Sequence, residues 1–313
     1  MWGLQLKTSW ADRRPAKSIM SLDALTIELD LAWRRVLGDS GHRHFVTHPH
    51  LRDWVEHDRQ AWLQRLASEI GAGYAPRSCH LCLAPKAAAL VRPGAVLCPE
   101  DEVIYTWLVG RFHMAVWQNL AWSQGNPDCA YQILPPVEDP NSKKAVQWIR
   151  GGVRAWTSFR QKSLSLLTSE VSHVVISDVT GFYDNIDLPR LASELKVLGT
   201  SGSDLDLLSL CLRRWNHPRG KGIPQGYTAS DILAKVYAHP LDRALRNEGF
   251  VHLRFVDDIR IFCRSRKEAR QSIVRLTELL LARGLNLQAA KTKIYTKSEG
   301  KSEIEGIAEG SAA

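Results

Sequence analysis

Residues 253–262 read LRFVDDIRIF, two apolar arms joined by a pair of adjacent aspartates, Asp257 and Asp258. Apolar and polar residues alternate over Val251, Leu253 and Phe255, and again over Ile259 and Ile261. That period predicts a β-hairpin with both acids at its tip. Aspartate is common in turns, so an isolated Asp-Asp pair reads first as a solvated turn. Apolar strands on both flanks change that reading. Two carboxylates held beside a core repel each other, and their pKa values are driven apart, unless a cation lies between them.

Working outward, Val174-Val175-Ile176 is a short β-branched run that predicts a buried strand ending at Asp178. Asp187-Leu188-Pro189 opens a helix with Leu191 and Leu195 inward, and a further helix runs from Asp204 to Trp215. Ile223–Gly226 is a turn into a helix that reaches Asn247. After the hairpin, Arg266–Arg283 carries Ala269, Ile273, Leu276 and Leu280 on one face, with Gly284 as its stop. Strand, helix, helix, hairpin, helix is an α+β arrangement.

Upstream, one helix starts at Met20 and a second spans Leu51–Ile70, with Trp54, Trp62 and Leu66 on one face. Residues 74–98 read as extended segments and loops. Pro99 followed by Glu100, Asp101 and Glu102 starts another helix, since acids favour the positive end of its dipole. Ten of the eleven tryptophans precede residue 157, so the N-terminal half supplies a large aromatic core. Ser302–Ala313 is small and acidic and is expected to fray. The chain thus divides into an N-terminal helical segment (1–70), a second region (71–170), the segment holding the acids (171–301) and a tail (302–313).

With 313 residues, 44% hydrophobic and 24% charged, the chain can bury a sizeable core. No apolar run approaches the roughly eighteen residues of a membrane span. Six irregularly spaced cysteines suit a reducing cytoplasm. Cys79-His80-Leu81-Cys82 with Cys98 forms one sulfur knuckle and lacks the second that a structural zinc site usually shows. The net charge is +8, and the stretch 251–301 holds twelve Lys/Arg against five acids, leaving +7 in one sixth of the chain. Such a region attracts a polyanion. A carboxylate at a strand end and a pair at a hairpin tip are oxygen donors of the kind that hold two divalent cations for an in-line phosphoryl displacement.

Four segments, in order, resemble motifs A to D of reverse transcriptases. They are Asp178…Phe182-Tyr183-Asp184-Asn185-Ile186, Ile223-Pro224-Gln225-Gly226 with Ser230, Phe255-Val256-Asp257-Asp258, and Leu285-Asn286-Leu287 followed by Lys291-Thr292. More loosely, Leu90-Val91-Arg92-Pro93 and Trp122-Ser123-Gln124-Gly125 resemble the fingers of bacterial members, and the general texture resembles the defence-associated, abortive-infection-like group. The resemblance implies a right-hand polymerase, with fingers over 71–170 and a palm over 171–301. Only twenty residues follow Lys293, so a helical thumb is expected to be missing.

The resemblance further implies an RNA-directed DNA polymerase that joins dNTPs on an RNA template from a nucleic-acid primer, with antiviral defence as its setting. A non-coding RNA or a partner subunit is an implied associate. An RNA-dependent RNA polymerase, an untemplated terminal transferase and a non-catalytic RNA-binding palm are the rival readings. Asp178, Asp257 and Asp258 are the implied ligands of two Mg²⁺ ions (or Mn²⁺), helped by the carbonyl of Val179. Phe182 and Tyr183 line the nucleotide pocket, with Tyr183 crowding a 2′-hydroxyl. Pro224, Gln225 and Gly226 line the template and nucleotide pocket, Lys291 sits by the leaving pyrophosphate, and Arg92 is a candidate for the triphosphate.

Overall fold

Helices begin where the chain offers a cap or a proline, and strands where β-branched residues find two cores to fill. The computed structural model describes residues 21–39, 49–85, 91–120, 126–216 and 220–310. The N-terminal part comprises α1 (Leu22–Asp39), α2 (Pro49–His57), α3 (Arg59–Gly73), the antiparallel hairpin β1 (His80–Pro85) and β2 (Val91–Val96), then α4 (Pro99–Arg111) and α5 (His113–Leu120). Short pieces follow: β3 (Gln132–Ile133), α6 (Lys143–Val146), β4 (Ile149–Arg150) and α7 (Val153–Ser165). The remainder runs β5 (His173–Asp178), α8 (Leu188–Val197), α9 (Ser203–Trp215), α10 (Thr228–Asn247), β6 (Val251–Phe255), β7 (Asp258–Cys263), α11 (Arg266–Leu281), β8 (Lys293–Thr296) and α12 (Lys297–Gly310).

The central sheet has strand order β6-β7-β5-β8, with every neighbouring pair antiparallel. Successive strand residues point to opposite faces, and both faces here are covered. Val175, Ile259, Ile261 and Cys263 join the large core with Ala269, Leu276 and Leu280 of α11 and most of α10. Val174, Leu253 and Phe262 form a second, smaller core with Phe159 of α7. A sheet buried on both sides leaves its register no freedom, since a slip of one residue would exchange the two cores. Asp187 caps α8, its side chain accepting from Arg190 N–H, as the Asp-Leu-Pro sequence requires.

Three expectations are corrected. The helix predicted over 51–70 is two helices broken at Asp58, so Trp54 lies off the face of Trp62 and Leu66 and is 60% exposed while they are buried. The tail expected to fray continues as α12, because Ile304 is fully buried and Gly300 packs against Val174, where an added Cβ would stand 3.2 Å away. Strand β8, which no alternation announced, pairs with β5 along Ile176↔Lys293 to His173↔Thr296. Residues 1–19 and Trp122–Gly125 lie outside the described residues.

A buried ionic cluster joins the region before the palm to the acid-bearing hairpin. Arg254 of β6, only 2% exposed, places one guanidinium nitrogen 2.7 Å from both Asp128 Oδ2 and Asp242 Oδ2, and donates from Nη1 to the Val256 carbonyl at 2.9 Å. Lys235 Nζ adds a 2.6 Å contact to Asp128. The guanidinium beside it holds the Asp242 carboxyl well below the usual carboxylate range, against the opposing effect of burial. Removing one partner of such a cluster strands the others in low dielectric. We therefore expect Arg254→Met to lower the unfolding free energy by about 3–5 kcal/mol, measured by urea denaturation.

Candidate active site

The decisive geometry is backbone pairing. In the β5–β7 register Asp178 stands directly opposite Asp258. The Val179 N–H donates to the Asp257 carbonyl at 3.1 Å, so all three acid-bearing residues meet at one end of two strands. The turn itself is Val256-Asp257: Asp258 is the first residue of β7, not part of the tip as the alternation suggested. Val256 has φ 57°, a left-handed conformation that is strained for a β-branched residue and is held by the Arg254 bond to its carbonyl.

Crowding marks these acids electrostatically. Burial first, then the charges of Asp257 and Asp178, push the Asp258 carboxyl up to about 7, against the opposing cations Arg260 and Lys291. Lys291 ends a 3-10 turn (Ala289–Lys291) that is anchored to the strand end by Gln288 N–H donating to the Asp178 carbonyl at 2.8 Å. Its Nζ lies 2.8 Å from Asp178 Oδ2 while the side chain stays 63% exposed. That hydrogen bond raises the lysine's pKa.

The second wall is formed by the turn after β5. Phe182 is 3% exposed and packs in the core beside the Tyr183 ring. Tyr183 is half-buried, and its hydroxyl donates to Asp231 Oδ1 at 2.6 Å. Burial and Asp231 push the phenol well above its ordinary pKa, with further contributions from Tyr131 and Asp257.

The Ile223–Gly226 turn stacks on the same segment. Gly222 N–H donates to the Ile186 carbonyl at 2.7 Å and Ile223 N–H to the Tyr183 carbonyl at 3.0 Å. At φ 87°, a Cβ on Gly222 would come 2.9 Å from the Asp184 carbonyl oxygen, so only glycine fits that approach. Pro224 is buried and its carbonyl accepts from Ser230 Oγ, which also pairs with Tyr105 Oη at 2.7 Å. Gln225 Oε1 is buried with no hydrogen-bond partner among the described residues. Gly226 takes φ 89°.

Tyr227 Oη bonds Leu97 N–H and the Ala95 carbonyl, which ties this turn to the end of β2. Arg92 lies on β2 opposite Ala84, and its side chain falls outside the described residues. Cys79 donates to the Trp215 carbonyl at 2.7 Å, and Cys98 caps α4 with its thiol pushed up to about 12 by burial and by Asp101.

Asp231, Tyr131 and Arg254 were not singled out from the sequence. Asp231 follows Ser230 in the quoted turn, but an acid in the first turn of a helix has an ordinary explanation in the dipole. Tyr131 sits in an irregular stretch with no periodicity to read.

The donor set of Asp178, Asp257, Asp258 and the Val179 carbonyl is all oxygen, the kind a hard divalent cation takes. Asp178 already accepts one cation, the Lys291 ammonium, and the raised Asp258 pKa marks negative crowding that positive charge relieves. Among the described residues no three carboxylate, imidazole or thiol groups converge as a ready-made metal cage. The residues therefore fit such an ion by chemistry, as a donor set and not as a closed cage.

An antiparallel sheet with helices on both faces, bearing one acid at a strand end and two on the adjoining hairpin, is the palm of a right-hand polymerase. The family described as reverse transcriptase (RNA-dependent DNA polymerase) matches residues 135–305. The chain belongs to that family. No curated protein matches it. Among solved structures, it resembles telomerase from Candida albicans in complex with a fragment of telomeric RNA, at TM-score 0.47 and 13% identity, covering 77% of this chain and 47% of that one. Apo telomerase from Candida tropicalis gives TM-score 0.47 and 12% identity, covering 74% and 48%. The same telomerase truncated from its C-terminal domain gives 0.46 and 14%, covering 74% and 54%. The chain thus spans about half the length of these telomerases.

A raised carboxyl pKa favours the protonated form in the folded state, so its stabilising effect is complete below 3.8 and is lost as pH rises to about 7. In chelator-treated protein, Asp258→Asn should melt close to wild type at pH 4 and above it at pH 8. The difference should grow across that window and level off beyond it, as read by thermal denaturation at each pH.

Proposed function

We propose that this chain is an RNA-directed DNA polymerase that extends a nucleic-acid primer with dNTPs on an RNA template. The observation that carries this reading is the β5–β7 register, which sets Asp178 opposite Asp258 with Asp257 bonded to Val179. Asp178, Asp257, Asp258 and the Val179 carbonyl are the residues that would hold divalent cations, Mg²⁺ or in its place Mn²⁺. When bound, two such ions supply Lewis-acid and charge stabilisation for an in-line displacement at phosphorus.

The chain's own groups have separable tasks. Tyr183 crowds the sugar of the incoming nucleotide. Gln225 offers its unpartnered oxygen, and Gly226 lets a strand approach the backbone closely. The Lys291 ammonium, whose pKa its bond to Asp178 raises further, holds a proton where pyrophosphate departs. Arg92 is proposed for the triphosphate, because a guanidinium suits bidentate phosphate contacts. The excess of positive charge over 251–301 supports a polyanionic template and primer. The resemblance of the motif strings supports placement in the bacterial defence-associated group, with a cytoplasmic antiviral role and a non-coding RNA or partner subunit as associate.

Primer extension on an RNA template tests this directly. Wild type is expected to incorporate dNTPs, and Asp257→Ala to lose incorporation by several orders of magnitude. Incorporation of rNTPs alone would replace the reading with an RNA polymerase, extension without any template with a terminal transferase, and full function of the Asp257→Ala protein with a non-catalytic RNA-binding palm.

A further inference from the structure

The Tyr183–Asp231 hydrogen bond joins the turn after β5 to the first turn of α10, beside the backbone bond from Ile223 N–H to the Tyr183 carbonyl. Tyr183 lies on the 3-10 turn Tyr183–Asn185 after β5, and Asp231 on the first turn of α10, forty-eight positions further along. At 2.6 Å the contact is a short O–H···O bond, made to a carboxyl that burial pushes up to about 7. The neighbouring cation does not satisfy this carboxylate: Lys235, one helical turn away, is engaged with Asp128 Oδ2 and the Ala130 carbonyl, both at 2.6 Å.

We propose that Asp231 is a positioning residue which fixes the Tyr183 ring and thereby sets how strictly the site rejects ribonucleotides, an inference that rests on the polymerase reading above. The phenol has two rotatable side-chain bonds. Its backbone is clamped by Ile223 N–H donating to the Tyr183 carbonyl at 3.0 Å. Phe182 stands edge-on to the ring at 5.8 Å between centroids. Asp231 holds the remaining free end, the hydroxyl. A ring held at both ends is a rigid wall, whereas a ring free at its tip can swing aside for a 2′-hydroxyl.

The proton is also committed. Because the hydroxyl donates to Asp231, Tyr183 Oη has only acceptor capacity left for a ligand and cannot donate to a ribose oxygen. Tyr183 stands on the turn that follows β5, five residues beyond Asp178 at the strand end, and the Asp257 charge acts on its phenol. Asp231 itself would touch neither nucleotide nor metal ion; it acts through the ring.

The test is steady-state extension of oligo(dT) on poly(rA), giving kcat/KM separately for dTTP and UTP. Wild type, Asp231→Ala, Asp231→Asn, Tyr183→Phe and the Tyr183→Phe/Asp231→Ala double variant are compared. Asp231→Ala should lower the dTTP-to-UTP preference about tenfold, mainly through a lower KM for UTP, the scale set by a small misplacement of a positioning group. Asp231→Asn is isosteric and keeps a weaker, uncharged acceptor, so its preference should fall about threefold; it carries the test if the alanine variant does not fold. In the Tyr183→Phe background, Asp231→Ala should change the preference by less than about twofold, because the bond it would break is already gone. A dTTP-to-UTP preference unchanged in both single Asp231 variants overturns the proposal. So does the same loss with and without the tyrosine hydroxyl. A wild-type protein that extends with neither nucleotide overturns the polymerase reading and this proposal together, which separates the two failures.

Discussion

Like charges do not gather of their own accord, and the arrangement of this protein rests on the constraint that makes them. A ladder of backbone hydrogen bonds between β5 and β7 places Asp178 opposite Asp258 and leaves Asp257 in the turn beside them. The favourable energy comes from elsewhere, from apolar residues on both faces of the sheet that fix the register. Repulsion at the strand ends is the local cost of that register, and after burial, the larger cause, it helps raise the pKa of Asp258. An acid cluster maintained against its own repulsion is a place suited to positive charge.

The hairpin that carries two of the acids is braced from below. Arg254 lies two residues before the strained Val256, bonds its carbonyl, and is itself enclosed by Asp128 and Asp242. Because Asp128 belongs to the segment before α7 and Asp242 to α10, the brace couples the tip to two other parts of the chain. The opposite wall is assembled the same way. Gly222 and Ile223 bond the turn that holds Tyr183, and Tyr227 reaches back to the end of β2. The site is thus a meeting of loops, each fixed by at least one hydrogen bond to a neighbour far away in sequence.

Much of this was legible beforehand. The alternation around Asp257 and the β-branched run before Asp178 predicted the two strands, because a half-buried or fully buried strand needs those side chains whatever else the chain does. The Asp-Leu-Pro helix start and the Gly284 stop were equally local. The order of the four motifs pointed to Asp178, Asp257 and Asp258, which the β5–β7 register brings to one end of the sheet. Where reading failed, the cause was a contact with a distant partner. Strand β8 exists because β5 offers it an edge, and α12 holds together because Gly300 fits against Val174 and Ile304 finds a core.

Residue type and spacing alone therefore determined the strands and turns on which the acids stand, since carboxylates, glycines and apolar alternation express their preferences over a few neighbouring positions. Tertiary structure alone decided how those side chains are held: that Asp178 faces Asp258, that Lys291 reaches Asp178, that Asp231 receives the proton of Tyr183. Hydrogen bonds and ion pairs act over about 3 Å, and no local pattern in a chain records which residues folding will bring that close.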